Sequence, residues 1–226
     1  MKQLVLDMGL PHGASFANFC VGSNLAALQH LKAWFAESAT SGVAPPTYFW
    51  GTSGCGKSHL LQALAAALRD SHINFGWLDA NCVKAPEFQT NWRVLLLDDV
   101  HAYNTQWQET AFNWFINAQT HRCAIFATGS APPADLSVRD DLRTRLGWGH
   151  VFALQTLNDA ERRAVLLQNA LARGIVLNDD VLDFILNRFS RDLSTLMALL
   201  DLLDDYALQT QRAITIPLIK AMMNNT

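Results

Sequence analysis

No run of lysine or arginine interrupts the sequence: 17 basic residues stand against 20 acidic ones, for a formal net charge of −3. A general nucleic-acid binder advertises a basic face, and nothing here supplies one. No apolar stretch approaches the ~20 residues of a membrane span. The opening Met1-Lys2-Gln3-Leu4-Val5-Leu6-Asp7-Met8 is too short and too acidic for a signal peptide. The four cysteines (Cys20, Cys55, Cys82 and Cys123) are scattered, so they read as reduced thiols of a cytoplasmic protein. Seven histidines show no metal-ligand spacing. Internal repeats and low-complexity tracts are absent too. What remains is 226 residues, half of them hydrophobic, which is enough for a core and for one or two domains.

Glycine and proline punctuate the first residues at Gly9, Pro11 and Gly13, so 1–13 reads as a tail. A helix is expected from a cap at Ser23 or Asn24 to Phe35, with Leu25, Leu28, Leu31 and Phe35 on one face. Strands are expected over 47–50, 74–78, 94–97, 123–128 and 151–154, and helices over 57–70 and 106–119. The run Val94-Leu95-Leu96-Leu97 has no polar alternation, as in a strand buried on both faces of a parallel sheet. Strands alternating with helices predict a parallel three-layer α/β core. After Leu157 the pattern is helical throughout. Asn158 and Glu161 form a capping-box pattern, Gly174 stops that helix, and further helices start near Asn178 or Asp179, at Asp192 and at Thr215. The expected organisation is a tail (1–13), an α/β core (14–156) and an all-helical domain (157–226). Trp34, Trp77, Trp107 and Trp114 are assigned to the core, and Trp148 to packing at the base of the last strand.

Gly51-Thr52-Ser53-Gly54-Cys55-Gly56-Lys57-Ser58 matches G-x4-GK-[ST], between a strand and a helix. Glycines let the backbone wrap a phosphate with successive amides pointing inward, and the following helix adds its positive end. Lys57 is placed to reach the terminal phosphates and Ser58 to ligate Mg²⁺. The second signal is Asp98-Asp99 at the end of the buried strand. Asp98 is the metal-side carboxylate, and Asp99 is placed to polarise an attacking water.

Together these features resemble the AAA+ ATPases. Within them, four segments are similar to the DnaA replication initiators. These are Ser15-Phe16-Ala17-Asn18-Phe19, Gly56-Lys57-Ser58-His59-Leu60-Leu61, Leu142-Arg143-Thr144-Arg145-Leu146-Gly147-Trp148-Gly149 and Arg212-Ala213-Ile214-Thr215-Ile216. The likeness runs through almost the whole chain from about Ser15. The initiators also carry a domain in front and a helix-turn-helix DNA-binding domain behind, and neither is expected here. A core and lid behind a short peptide is the layout of the branch that inactivates the initiator. Gln3-Leu4-Val5-Leu6-Asp7-Met8 resembles the peptide that docks in the sliding clamp, with Gln3 fixing register and Leu4, Leu6 and Met8 filling pockets.

The resemblance implies a five-stranded parallel AAA+ core with a small helical lid. It implies ADP or ATP, with Mg²⁺, held by Gly51, Ser53, Gly54, Cys55, Gly56, Lys57, Ser58 and His59. It implies two partners, the sliding clamp and the initiator DnaA, with self-association as a family expectation, and neither sequence-specific DNA contact nor a membrane. Arg145 becomes an arginine finger acting in trans on the initiator's ATP. Two positions depart from the pattern. Ser130 stands where the initiator's sensor segment has an acid, and Ser194 stands where the lid has a sensor arginine, with Arg191 one helical turn away. The expected activity is therefore weak hydrolysis by the chain itself and stimulation of hydrolysis by the initiator, which prevents re-initiation. Two other readings stay open: a helicase-loader-like paralogue that remodels a DNA-bound partner, and a P-loop kinase acting on a small molecule.

Overall fold

The structure is a computed structural model and describes residues 13–37, 44–189, 193–210 and 212–224. Gln3, Leu4, Leu6, Met8 and Arg191 lie outside the described residues, as does the side chain of Ser194. The chain forms two compact units, Gly13–Thr156 and a second that takes up the chain from Leu157.

The first unit is built on five parallel strands: β1 (Thr47–Trp50), β2 (Phe75–Leu78), β3 (Val94–Leu97), β4 (Ala124–Gly129) and β5 (His150–Ala153). Their order across the sheet is β2-β3-β4-β1-β5. Around them run α1 (Leu25–Glu37), α2 (Lys57–Asp70), α3 (Thr105–His121) and α4 (Asp140–Leu146). Successive strand residues face opposite ways, and the core divides accordingly. Phe49, Val94, Leu96 and Phe126 pack with Leu28 and Leu31 of α1 and with Leu60, Leu61, Leu64 and Leu68 of α2. Tyr48, Leu95, Leu97 and Ile125 pack with Trp107, Trp114 and Phe115 of α3 and with Leu142 and Leu146 of α4. The sheet is thus covered on both faces, which is why β3 needs no polar residue.

Several expectations are corrected. Leu25 is 51% exposed although it falls on the apolar spacing of α1. Asn24 is buried, and its side chain exchanges two hydrogen bonds with the backbone of Gln155 (2.9 and 2.8 Å). That amide therefore ties the start of α1 to the chain beyond β5. Residues 140–146 form a helix beyond those expected from the sequence. Trp148 is 56% exposed, so it does not pack under β5. Strand β5 is a sheet edge, with Val151 at 40% exposure.

The second unit has four helices among its described residues: α5 (Asp159–Ala172), α6 (Asp179–Arg188), α7 (Leu193–Thr210) and α8 (Ile216–Asn224). Asn158 and Glu161 close the capping box on α5, and Gly174 follows that helix at φ 73°. Leu166, Ile185, Leu196, Leu200, Leu203 and Ile219 make a core of their own. Arg163 bridges α5 to Asp179 and Asp183 of α6, and Arg173 reaches Asp201 of α7 at 2.7 Å. Among the described residues, no helix is long and apolar enough to cross a membrane.

Leu25 and Leu28 share the helical spacing but not the environment. Leu28→Ala is expected to lower unfolding free energy by about 2–5 kcal/mol, as for other buried leucines. Leu25→Ala is expected to change it by less than about 0.5 kcal/mol. Chemical denaturation of the two variants beside the parent checks the difference.

Candidate nucleotide site and surface arginine

The sheet order brings the functional segments together. Strand β4 lies between β1 and β3, so the loop after β1 and the acids after β3 flank the end of β4. Gly51 N donates to Gly129 O (3.3 Å), and the loop turns from there into α2. Gly56 enters that helix at φ 95°, and a Cβ on it would stand 2.8 Å from the Phe19 ring. A Cβ on Gly51 would stand 2.5 Å from Leu154 O. Both positions therefore require glycine. Lys57 is buried, and its Nζ donates to Gly51 O (3.0 Å) and Thr52 O (3.2 Å). The loop thus holds its cation at the N-terminal end of α2, where the helix dipole adds to the positive field. Burial pushes the Cys55 thiol up, with Lys57 opposing it, so the thiol lines the loop in its neutral form.

Asp98 is buried at the end of β3. Its Oδ1 accepts from Thr128 Oγ1 (2.6 Å) and from Ser58 Oγ (3.2 Å). Burial raises its pKa, the Thr128 hydrogen bond lowers it, and the Asp99 charge raises it again; the net shift is upward. Asp99 N donates to the same Thr128 hydroxyl at 2.7 Å. Asp99 itself sits at φ 50°, an uncommon conformation for a residue with a Cβ. Its Oδ1 is buried without a hydrogen-bond partner, although the side chain as a whole is 42% exposed and His101 Nδ1 lies 3.8 Å away. The polar contact at the end of β4 is Thr128, which is fully buried. Ser130 lies two residues on and is exposed. The sequence expectation placed the sensor hydroxyl at Ser130, which makes no hydrogen bond to either acid among the described residues. A hydroxyl at the last buried position of a central strand was the signal to weigh.

His59 is held by the segment that precedes α1. Its Nε2 faces Ser15 O (3.2 Å) and Asn18 Oδ1 (3.0 Å). Both are acceptors, since Ser15 N donates to that same Oδ1, so Nε2 carries the proton. His59 therefore fastens 15–19 to α2 and leaves Phe19 against Gly56. Burial lowers its pKa, with the Ser15 contact opposing.

Arg145 lies on α4, which Arg139 precedes. Arg139 pairs with Asp141 (2.8 Å) and Glu109 (3.7 Å), and Arg143 with Asp140 (2.5 Å). Among the described residues no carboxylate pairs with Arg145, and its Nε is buried without an acceptor. Its guanidinium stands instead over the rings of Phe112 (4.8 Å) and Trp148 (4.9 Å). These rings belong to α3 and to the turn before β5, and neither is part of the phosphate loop.

A family model described as the bacterial DnaA ATPase domain matches residues 10–153, well over half of the 226 residues. The chain belongs to the bacterial DnaA ATPase domain family. Beyond this DnaA-type core, residues 159–223 match the lid domain of Hda. The whole chain is similar in fold to domain III of the Thermotoga maritima replication initiation protein DnaA. That similarity has a TM-score of 0.76 at 20% identity, covering 99% of this chain and 98% of that one. AMPPCP-bound DnaA from Aquifex aeolicus gives 0.70 at 22% identity, over 90% of this chain and 68% of that one. The Thermotoga maritima RuvB Holliday junction branch migration motor gives 0.60 at 17% identity, over 87% and 68%. In this DnaA-family core, Ser58 Oγ and Asp98 Oδ1 are converging hard-oxygen donors. They suit Mg²⁺, which keeps most of its waters and takes few protein ligands.

Two outcomes follow. Thr128→Val keeps the volume and removes the hydroxyl shared by Asp98 and Asp99. It is expected to cost about 1–3 kcal/mol in denaturant unfolding and to weaken nucleotide binding, whereas Ser130→Ala is expected to do neither. For His59 the folded chain favours the neutral ring, so below about pH 6.5 the unfolded chain binds more protons and stability falls with acidification. His59→Gln is expected to narrow the drop in unfolding temperature between about pH 7.5 and pH 5.5; an unchanged drop contradicts the assignment.

Proposed function

We propose that the protein is a regulator of replication initiation that binds an adenine nucleotide and promotes hydrolysis of ATP held by the initiator DnaA. The observation that carries this reading is Arg145. It is the one arginine of its segment with no carboxylate partner among the described residues, and it lies half-buried on rings outside the chain's own phosphate loop. A guanidinium placed this way suits charge developing on phosphate oxygens of a neighbouring subunit. The match to the Hda lid and the DnaA-type core support the initiator as partner.

The nucleotide site supports binding more than turnover. Gly51 to Ser58 provide the phosphate cradle, and the related DnaA structure holds AMPPCP. Ser58 and Asp98 would hold Mg²⁺, which when bound neutralises phosphate charge. Asp99 stands ready to orient a water. Ser194 offers the lid no sensor cation, so the chain's own hydrolysis is slow, and bound ADP serves as a structural occupant. The peptide Gln3 to Met8 docks on the DNA-loaded clamp and brings the chain to the replication fork.

The test is turnover of initiator-bound ATP in the presence of the DNA-loaded clamp. Arg145→Ala is expected to remove most of the stimulation, since such a finger is worth a factor of roughly 10³–10⁵. Gln3→Ala with Leu6→Ala is expected to raise the concentration needed and to leave the rate at saturation intact. Full stimulation by Arg145→Ala would refute the reading.

A further inference from the structure

Arg145 and Trp148 are joined by their backbone, Trp148 N donating to Arg145 O over 3.2 Å at the end of α4. The next residue fixes the turn. A Cβ on Gly149 would stand 1.9 Å from Pro46 O, and His150 N donates to that same oxygen at 2.9 Å. With the chain held against Pro46, the Trp148 side chain stays outside, 56% exposed. Its ring covers the Arg145 guanidinium, and the half-buried Phe112 ring of α3 covers it too. Arg139 also lies over Phe112, at 5.4 Å, but its charge is already met by Asp141 and Glu109.

How a guanidinium is held decides what it can still do. A carboxylate grips it by the in-plane N–H edge, cancels its charge and occupies the donors that a phosphate would need. An aromatic ring grips it by the flat face and leaves the edge free. Here Nε is buried and unpaired, while the two terminal nitrogens are neither hydrogen-bonded within the described residues nor buried. An arginine side chain without such a hold must be ordered at each encounter, which slows a step that depends on a pre-placed donor.

We infer that Trp148 is a positioning residue for Arg145. With Phe112 it forms a clip of two aromatic rings that holds the guanidinium by cation–π contact and leaves its terminal N–H groups for the phosphates of the partner's nucleotide. This rests on Arg145 acting in trans, as proposed above.

The experiment measures, with the full chain, the maximal rate of initiator-ATP hydrolysis and the half-saturating concentration for Trp148→Ala, Trp148→Leu, Trp148→Phe, Arg145→Ala and the Trp148→Ala/Arg145→Ala double variant. Trp148→Ala is expected to lower the maximal rate about five- to tenfold, the scale of one lost cation–π contact at a partly dry site, and to leave half-saturation within about twofold. Trp148→Leu keeps an apolar cover without a π face and should behave like Trp148→Ala, whereas Trp148→Phe should recover most of the rate. The double variant should match Arg145→Ala. Thermal unfolding of the Trp148 variants should stay near the parent's, since the ring is largely outside. A parental maximal rate for Trp148→Ala beside a dead Arg145→Ala overturns the clip and spares the finger. So does a change confined to half-saturation, or a Trp148→Leu as active as Trp148→Phe. An Arg145→Ala as active as the parent overturns the finger reading and the clip with it.

Discussion

Thr128 Oγ1 donates to Asp98 Oδ1 over 2.6 Å and accepts from Asp99 N over 2.7 Å. One hydroxyl thus uses its proton and a lone pair to fix both acids that follow β3. It can do so because β4 runs between β3 and β1, which puts the end of β4 beside the phosphate loop as well. The left-handed turn at Asp99 depends on the same bond, because it anchors the amide of the strained residue. Strain of this kind persists only where neighbours over-determine it. The fully buried strand residues around Thr128 supply that constraint.

Two charges are buried at this site, and they are met in different ways. Lys57 is satisfied by the carbonyls of its own loop, Asp98 by two hydroxyls. Neither charge is cancelled by an opposite one within hydrogen-bonding contact, so both keep their field toward whatever the loop encloses. Buried charges need such partners, since an unmet ion in a dry interior is far more costly than a paired one. Arg145 follows a third course, with ring faces in place of dipoles or a counter-ion. In each case a formal charge stays available to a ligand.

Much of this was legible in the sequence, and the parts that were not share a cause. The phosphate loop, the Asp98-Asp99 pair and the five strands, each found within a residue of its expected bounds, are local patterns: a glycine spacing, an apolar run, an acid at its end. So are the capping box at Asn158 and the helix over 57–70, which the structure repeats residue for residue. What the sequence hid depends on contacts far along the chain. Asn24 looks like a cap until Gln155, 131 residues away, takes its amide. Leu25 has the right spacing but no neighbour to bury it. Ser130 and Thr128 both offer a hydroxyl, but only Thr128 falls inside the sheet. Trp148 looks like strand packing until Gly149 meets Pro46 and turns the ring outward. Helix α4 is seven residues long and buries only Leu142 and Leu146, too few apolar positions to show a helical period.

The central claim is a division of labour: this chain's phosphate loop holds a nucleotide, and its Arg145 works on another's. The most direct measurement gives the two nucleotides different labels. The initiator is loaded with radiolabelled ATP, the chain with unlabelled ADP, and the two are mixed on the DNA-loaded clamp. The account predicts labelled ADP, formed at a rate set by the chain's concentration while the unlabelled ADP stays bound. Labelled product appearing only after the label has exchanged onto this chain would contradict it.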